Sequence, residues 1–146
     1  MNYKEILEKA VKSAQRTQNA KREIENVIEG LNISIQDFTD GKMGLVIATK
    51  QRSKKGVSNP LMQAAGSLFL NEQIENYNAI CFHIISNDRY FELAEWGMNE
   101  QGYPCKISYS DKRDVYCSNK LELEQALGDL MNSPKAGEIL LKMMKA

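Results

Sequence analysis

The sequence predicts an α+β domain: an N-terminal helix, an antiparallel β-meander of about five to seven strands, and two C-terminal helices packed on the sheet. Three observations carry this reading. Between Tyr77 and Cys117 apolar residues alternate at the period of two that a pleated strand imposes, and the connections between runs are short and polar. Connections that short join antiparallel neighbours, because a parallel pair needs a crossover of about a dozen residues or more. On either side of this region the apolar period changes from two to the helical value. At 146 residues the chain suits a single domain spanning 1–146, large enough to bury roughly two thirds of its unfolded surface.

In chain order, Tyr3, Leu7, Ala10, Ala14, Thr17, Ile24, Ile28 and Leu31 recur in steps near a helical turn, with Ile6, Val11, Ala20 and Val27 widening the stripe. The stripe thins between Gln15 and Arg22, so the sequence allows one long rod with a polar waist or two helices bent there. Gly30 is the expected stop. Leu31, Ile33 and Ile35 then alternate with Asn32, Ser34 and Gln36, which predicts a half-buried strand. Thr39-Asp40-Gly41-Lys42 has the composition of a hairpin turn with positive φ angles, leading into a returning strand Met43–Thr49.

Residues 50–60 read as a loop by their Gly, Ser, Asn and Pro content. Pro60 is expected to open a short helix, and Ser67 to Leu70 to form a strand. Within the meander, Ile80, Phe82 and Ile84 share one face, Asn87-Asp88 makes a turn, Tyr90 to Trp96 returns, and a second turn falls near Gly102. Asn119 with Glu122 has the spacing of a capping box, followed by Leu123, Ala126, Leu127, Leu130 and Met131 on one face. Ser133-Pro134 ends that helix and starts the last one, whose apolar face is Ala136, Ile139, Leu140, Met143 and Met144.

Composition is that of a globular chain, with 42% hydrophobic and 26% charged residues. No apolar run approaches spanning length, and the charged start Met1-Asn2-Tyr3-Lys4-Glu5 predicts neither signal peptide nor anchor, hence a cytoplasmic protein. Three cysteines, Cys81, Cys105 and Cys117, lack C-x-x-C spacing and are expected to be reduced core thiols. Net charge is zero but unevenly spread. Residues 31–60 hold Lys42, Lys50, Arg52, Lys54 and Lys55 against Asp37 and Asp40. Residues 61–100 hold Arg89 against Glu72, Glu75, Asp88, Glu92, Glu95 and Glu100, so the chain reads as a polarised object.

The chemistry visible in the sequence is sparse. His83 is the single histidine, set mid-strand, and no spacing gathers the three or four donors a metal needs, so no metal site and no cofactor is expected. Glu92 and Glu95, three apart in a strand, should point to opposite faces and form no carboxylate pair. Phosphate-loop, dinucleotide, nucleophile-elbow and zinc-protease motifs are all missing, and no catalytic residue is assigned.

The residues assigned to a binding surface are Lys50, Arg52, Lys54, Lys55, Tyr90, Glu92, Glu95 and Trp96. The leading expectation is a small non-catalytic protein that binds and occludes a protein partner, of the inhibitor, immunity or adaptor type, and forms a homodimer through the first helix around Ile24 and Ile28. Two alternatives stand beside it. One is a nucleic-acid-binding module using the basic stretch 50–55 with stacking aromatics such as Tyr77, Tyr90 and Tyr116. The other is a small enzyme pairing a strand cysteine with His83.

Overall fold

A computed structural model describes residues 1–53 and 74–145. The elements are α1 (Tyr3–Phe38), β1 (Met43–Ser53), β2 (Ile74–Ile84), β3 (Arg89–Asn99), β4 (Gly102–Ser108), β5 (Asp114–Cys117), α2 (Lys120–Met131) and α3 (Pro134–Lys145). The five described strands form one sheet in the order β1-β2-β3-β4-β5, every pair antiparallel, as the short connections from β2 through β5 required.

One face of the sheet makes the core. Met43, Leu45 and Ile47 of β1 lie opposite Ile84, Phe82 and Ile80 of β2, and the same face continues through Ala94 and Trp96 to Ile107, Cys105 and Cys117. Ile24 of α1, Leu123, Leu127 and Leu130 of α2, and Ala136 of α3 close over it in a single apolar cluster. All three described helices therefore cover one side. Asn119 accepts the Glu122 amide at 2.9 Å while the Glu122 carboxylate accepts the Ser118 amide at 3.0 Å, so the predicted capping box starts α2. Ser133 caps α3 by accepting the Ala136 amide, with Pro134 in the first turn.

The region before β1 differs from expectation. Leu31 to Gln36 is not a strand: α1 is one rod that runs through Gly30 to Phe38. Leu31 and Ile35 continue the helical stripe from Ile24, Val27 and Ile28 into the core, whereas Ile33, which a strand would have buried with them, is 51% exposed. Gly30 lacks any neighbour within 4 Å of a hypothetical Cβ, so nothing there stops the helix. The turn at 39–42 does have positive φ at Asp40 and Gly41, but it joins a helix to a strand. Thr39, buried at the end of α1, donates its hydroxyl to the Ile35 carbonyl at 2.8 Å and accepts the Met43 amide at 3.1 Å, which fixes the exit. Farther on, Lys50 to Ser53 belong to β1 and not to a loop. The helix expected at Pro60 and the strand expected at 67–70 lie outside the described residues.

Two close approaches hold α1 to the sheet. The Asn32 side chain accepts the Leu45 amide at 2.8 Å, which occupies a donor on β1, the outermost of the described strands, and a Cβ on Gly44 would come within 2.6 Å of that same oxygen. At the other end, Gly102 turns with φ 97° directly against Ala20, and Tyr103 donates to Glu23 at 2.7 Å. These contacts span Ala20 to Gln36. Every residue from Met1 to Arg16 is exposed, so the first four turns of α1 stand clear of the rest of the described chain, an overhang of about 20 Å at the helical rise.

Candidate functional site

The face of the sheet opposite the helices carries a charged cluster beside a small apolar row, Val46, Ala48, Ala79 and Cys81. By register, Lys50 and Arg52 of β1 lie opposite Tyr77 and Glu75 of β2, and Ala79 and Cys81 of β2 lie opposite Glu95 and Glu92 of β3. Glu92 and Glu95 are thus on one face, contrary to the expectation that three residues apart means opposite faces. The ladder slips between Ile80 and Cys81, so that Leu93 and Ala94 both turn to the core, and this bulge restores the two glutamates to the same side.

The pairs that result are specific. Arg52 binds Glu75 through Nε at 2.7 Å, binds Glu95 through Nη1, and lies 4.5 Å over the Tyr77 ring. Tyr77 donates to Glu92 at 2.8 Å, and Lys50 is 3.8 Å from the same carboxylate. The bond to Glu92 is the first reason the Tyr77 hydroxyl is pushed up from its ordinary range; burial is the second. Farther along, His83 stacks on Tyr90 with ring centroids 4.7 Å apart and meets Asp88 at 2.8 Å.

Of the residues assigned from sequence, Lys50, Arg52, Tyr90, Glu92 and Glu95 come together on this face. Trp96 does not: it faces the core at 9% exposure, opposite Ile107. Lys54 and Lys55 lie outside the described residues. Sequence reasoning missed Glu75, which shares Arg52 with Glu95; its signal was the alternation of Glu75, Tyr77, Ala79 and Cys81 against the apolar side of β2. The three cysteines are free and buried, with burial the first cause raising each thiol and Cys105 pushed up to about 12. Among the described residues no cluster of His, Cys, Asp and Glu could hold a metal ion.

The second candidate surface is the overhang of α1. Tyr3, Ile6, Leu7, Ala10, Val11 and Ala14 follow the i, i+3, i+4, i+7 pattern of one helix face, and Tyr3, Ile6, Leu7 and Val11 are 70, 49, 64 and 57% exposed. Lys4, Glu5, Glu8, Lys9, Lys12 and Arg16 occupy the remainder of the surface. No helix among the described residues is long and apolar enough to cross a membrane.

Fold and surfaces together define an α+β protein with a helix-covered meander, a charged outer sheet face and an overhanging amphipathic helix. The chain matches no protein-family profile, no curated protein and no solved structure.

Proposed function

We propose that this chain is a non-catalytic protein-binding protein of the small cytoplasmic inhibitor or immunity type, which meets protein partners through the overhang of α1 and pairs with a second copy through the same stripe. The observation that carries the reading is the apolar row Tyr3, Ile6, Leu7 and Val11 on four helical turns that the rest of the described chain leaves uncovered. An amphipathic helix offered in this way is a recurrent protein-recognition element. Three free buried thiols suit a reducing compartment such as the cytoplasm.

A second copy is the occupant the stripe itself fits. In an antiparallel pair that sets Leu7 against Ala10, the same two-fold relation sets Tyr3 against Ala14, large against small, and Ile6 against Val11, two branched residues. It also brings Glu5 level with Lys12 and Glu8 level with Lys9, whereas a parallel pair would align like charges. An overlap this short buries less than the roughly 1,200 Å² of a standard interface, so the dimer dissociates readily and yields to a partner with a larger apolar groove.

The alternatives gain less from the geometry. Lys50 and Arg52 are engaged by glutamates, which takes them out of a basic patch for nucleic acid. Burial raises the thiols and so depletes the thiolate that a cysteine nucleophile needs.

Cysteine cross-linking tests the register. Under mild oxidation a Leu7→Cys/Ala10→Cys variant is expected to run as a covalent dimer on a non-reducing gel, while Leu7→Cys alone stays monomeric. Cross-linking of Leu7→Cys alone would mean a parallel pair and would refute the proposed arrangement; no cross-linking of either would remove the second copy from the overhang.

A further inference from the structure

β4 pairs with β3 only from Glu95–Ser108 to Asn99–Gly102, and below that point the β4–β5 hairpin leaves β3. The parting opens a notch of about 520 Å³ whose walls include Glu92 and Leu93 of β3, Lys106 and Ser108 of β4, Lys112 of the hairpin turn and Lys135 of α3. We propose that this notch binds a phosphate monoester group.

Its cations are uncommitted. Among the described residues Lys106, Lys112 and Lys135 enter no ion pair. The anions that line the same space are mostly taken: Glu95 is bound by Arg52, and Glu92 is held by Tyr77 and Lys50. Three lysines without an ion pair therefore line the notch beside a single remaining carboxylate, that of Asp114. Such an excess, gathered from a strand, a turn and a helix, attracts a multiply charged oxyanion.

A second observation is independent of charge. Ser108 is 9% exposed, lines the notch, and its hydroxyl has no hydrogen-bond partner among the described residues. A buried hydroxyl without a partner is unfavourable, and an oxyanion in the notch would accept its hydrogen bond. Lys135 sits in the first turn of α3, where the positive end of the helix dipole adds to its own charge. Phosphate is favoured over a carboxylate because three separate ammonium groups and a hydroxyl match several oxygens carrying more than one charge. The notch is larger than inorganic phosphate alone, which leaves room for the esterified group.

The test is a titration of the intact protein with inorganic phosphate and with phenyl phosphate, followed by ¹H–¹⁵N correlation spectra against sodium chloride at matched ionic strength. The expected result is saturable shifts at Ser108, Lys135 and Ala136 that chloride does not produce, with phenyl phosphate binding more tightly than phosphate. Lys106→Ala/Lys135→Ala should weaken binding at least about tenfold, and Ser108→Ala, which removes only an oxygen, by several fold, in line with the strength of charge-assisted hydrogen bonds. Shifts that chloride reproduces, or binding that both variants leave unchanged while their spectra stay folded, would overturn the proposal.

Discussion

Arg52 is the residue on which the polar sheet face turns, because one guanidinium serves Glu75, Glu95 and the Tyr77 ring. Its side chain and those of the two glutamates are each more than a third exposed, so water screens the pairs and the cost of losing them is modest. Arg52→Met is expected to lower stability by about 1 kcal/mol in urea unfolding, with most of that loss absent when Glu75 and Glu95 are already glutamine. The buried thiols give a prediction in pH. Burial holds Cys105 protonated up to about 12, above its ordinary 9.0, so the unfolded chain releases this proton first. Stability from this source is complete below pH 9 and is lost as pH rises toward 12, at up to about 1.4 kcal/mol per pH unit. Cys81, Cys117 and Tyr103 shift in the same direction. Thermal unfolding at about pH 10 should therefore fall below that at neutral pH, and a midpoint that does not move would contradict the burial of these groups. At this scale the sequence revealed the polar strand residues of β3 but not their faces: the bulge that unites Glu92 with Glu95 depends on register, and Trp96, assigned to a binding surface, lies opposite Ile107 on the core side.

At the scale of elements, α1 divides into a seated half and a free half. Ile24→Ala opens a cavity at a fully buried site and should cost about 2–4 kcal/mol, whereas removal of residues 1–14 should lower helical circular dichroism and leave the unfolding midpoint within error. Gly102→Ala combines a positive φ with a contact of 2.8 Å to Ala20 and is expected to cost about 1–3 kcal/mol; a neutral result would mean that α1 does not press on the β3–β4 turn as described. The meander and both C-terminal helices were legible because turn chemistry, capping and periodicity agreed. Leu31 to Gln36 was not, since Leu31, Ile33 and Ile35 satisfy alternation locally and only the longer run from Ile24 shows the helical period. The extension of β1 to Ser53 was hidden by charge: Lys50 and Arg52 look like loop residues until Glu75 and Glu92 are placed opposite them.

For the molecule as a whole, the charge polarity seen along the sequence largely folds in on itself. The basic segment in β1 lies across β2 from the acidic residues of β3, so Lys50 and Arg52 meet Glu92, Glu75 and Glu95 within the sheet. What the fold leaves for a protein partner is the apolar row on the overhang, part of a stripe that the sequence showed thinning between Gln15 and Arg22 and from which a dimer around Ile24 and Ile28 was expected. Ile24 is 1% exposed and belongs to the intramolecular core, so the surface moves to Tyr3–Ala14. Size-exclusion chromatography with light scattering across a concentration series tests this most directly. The account predicts that wild-type protein approaches twice 16.6 kDa at high micromolar concentration, and that Leu7→Glu/Val11→Glu stays at 16.6 kDa with an unchanged unfolding midpoint. Wild-type protein that remains at 16.6 kDa throughout, or a variant that dimerises as well as wild type, would contradict it.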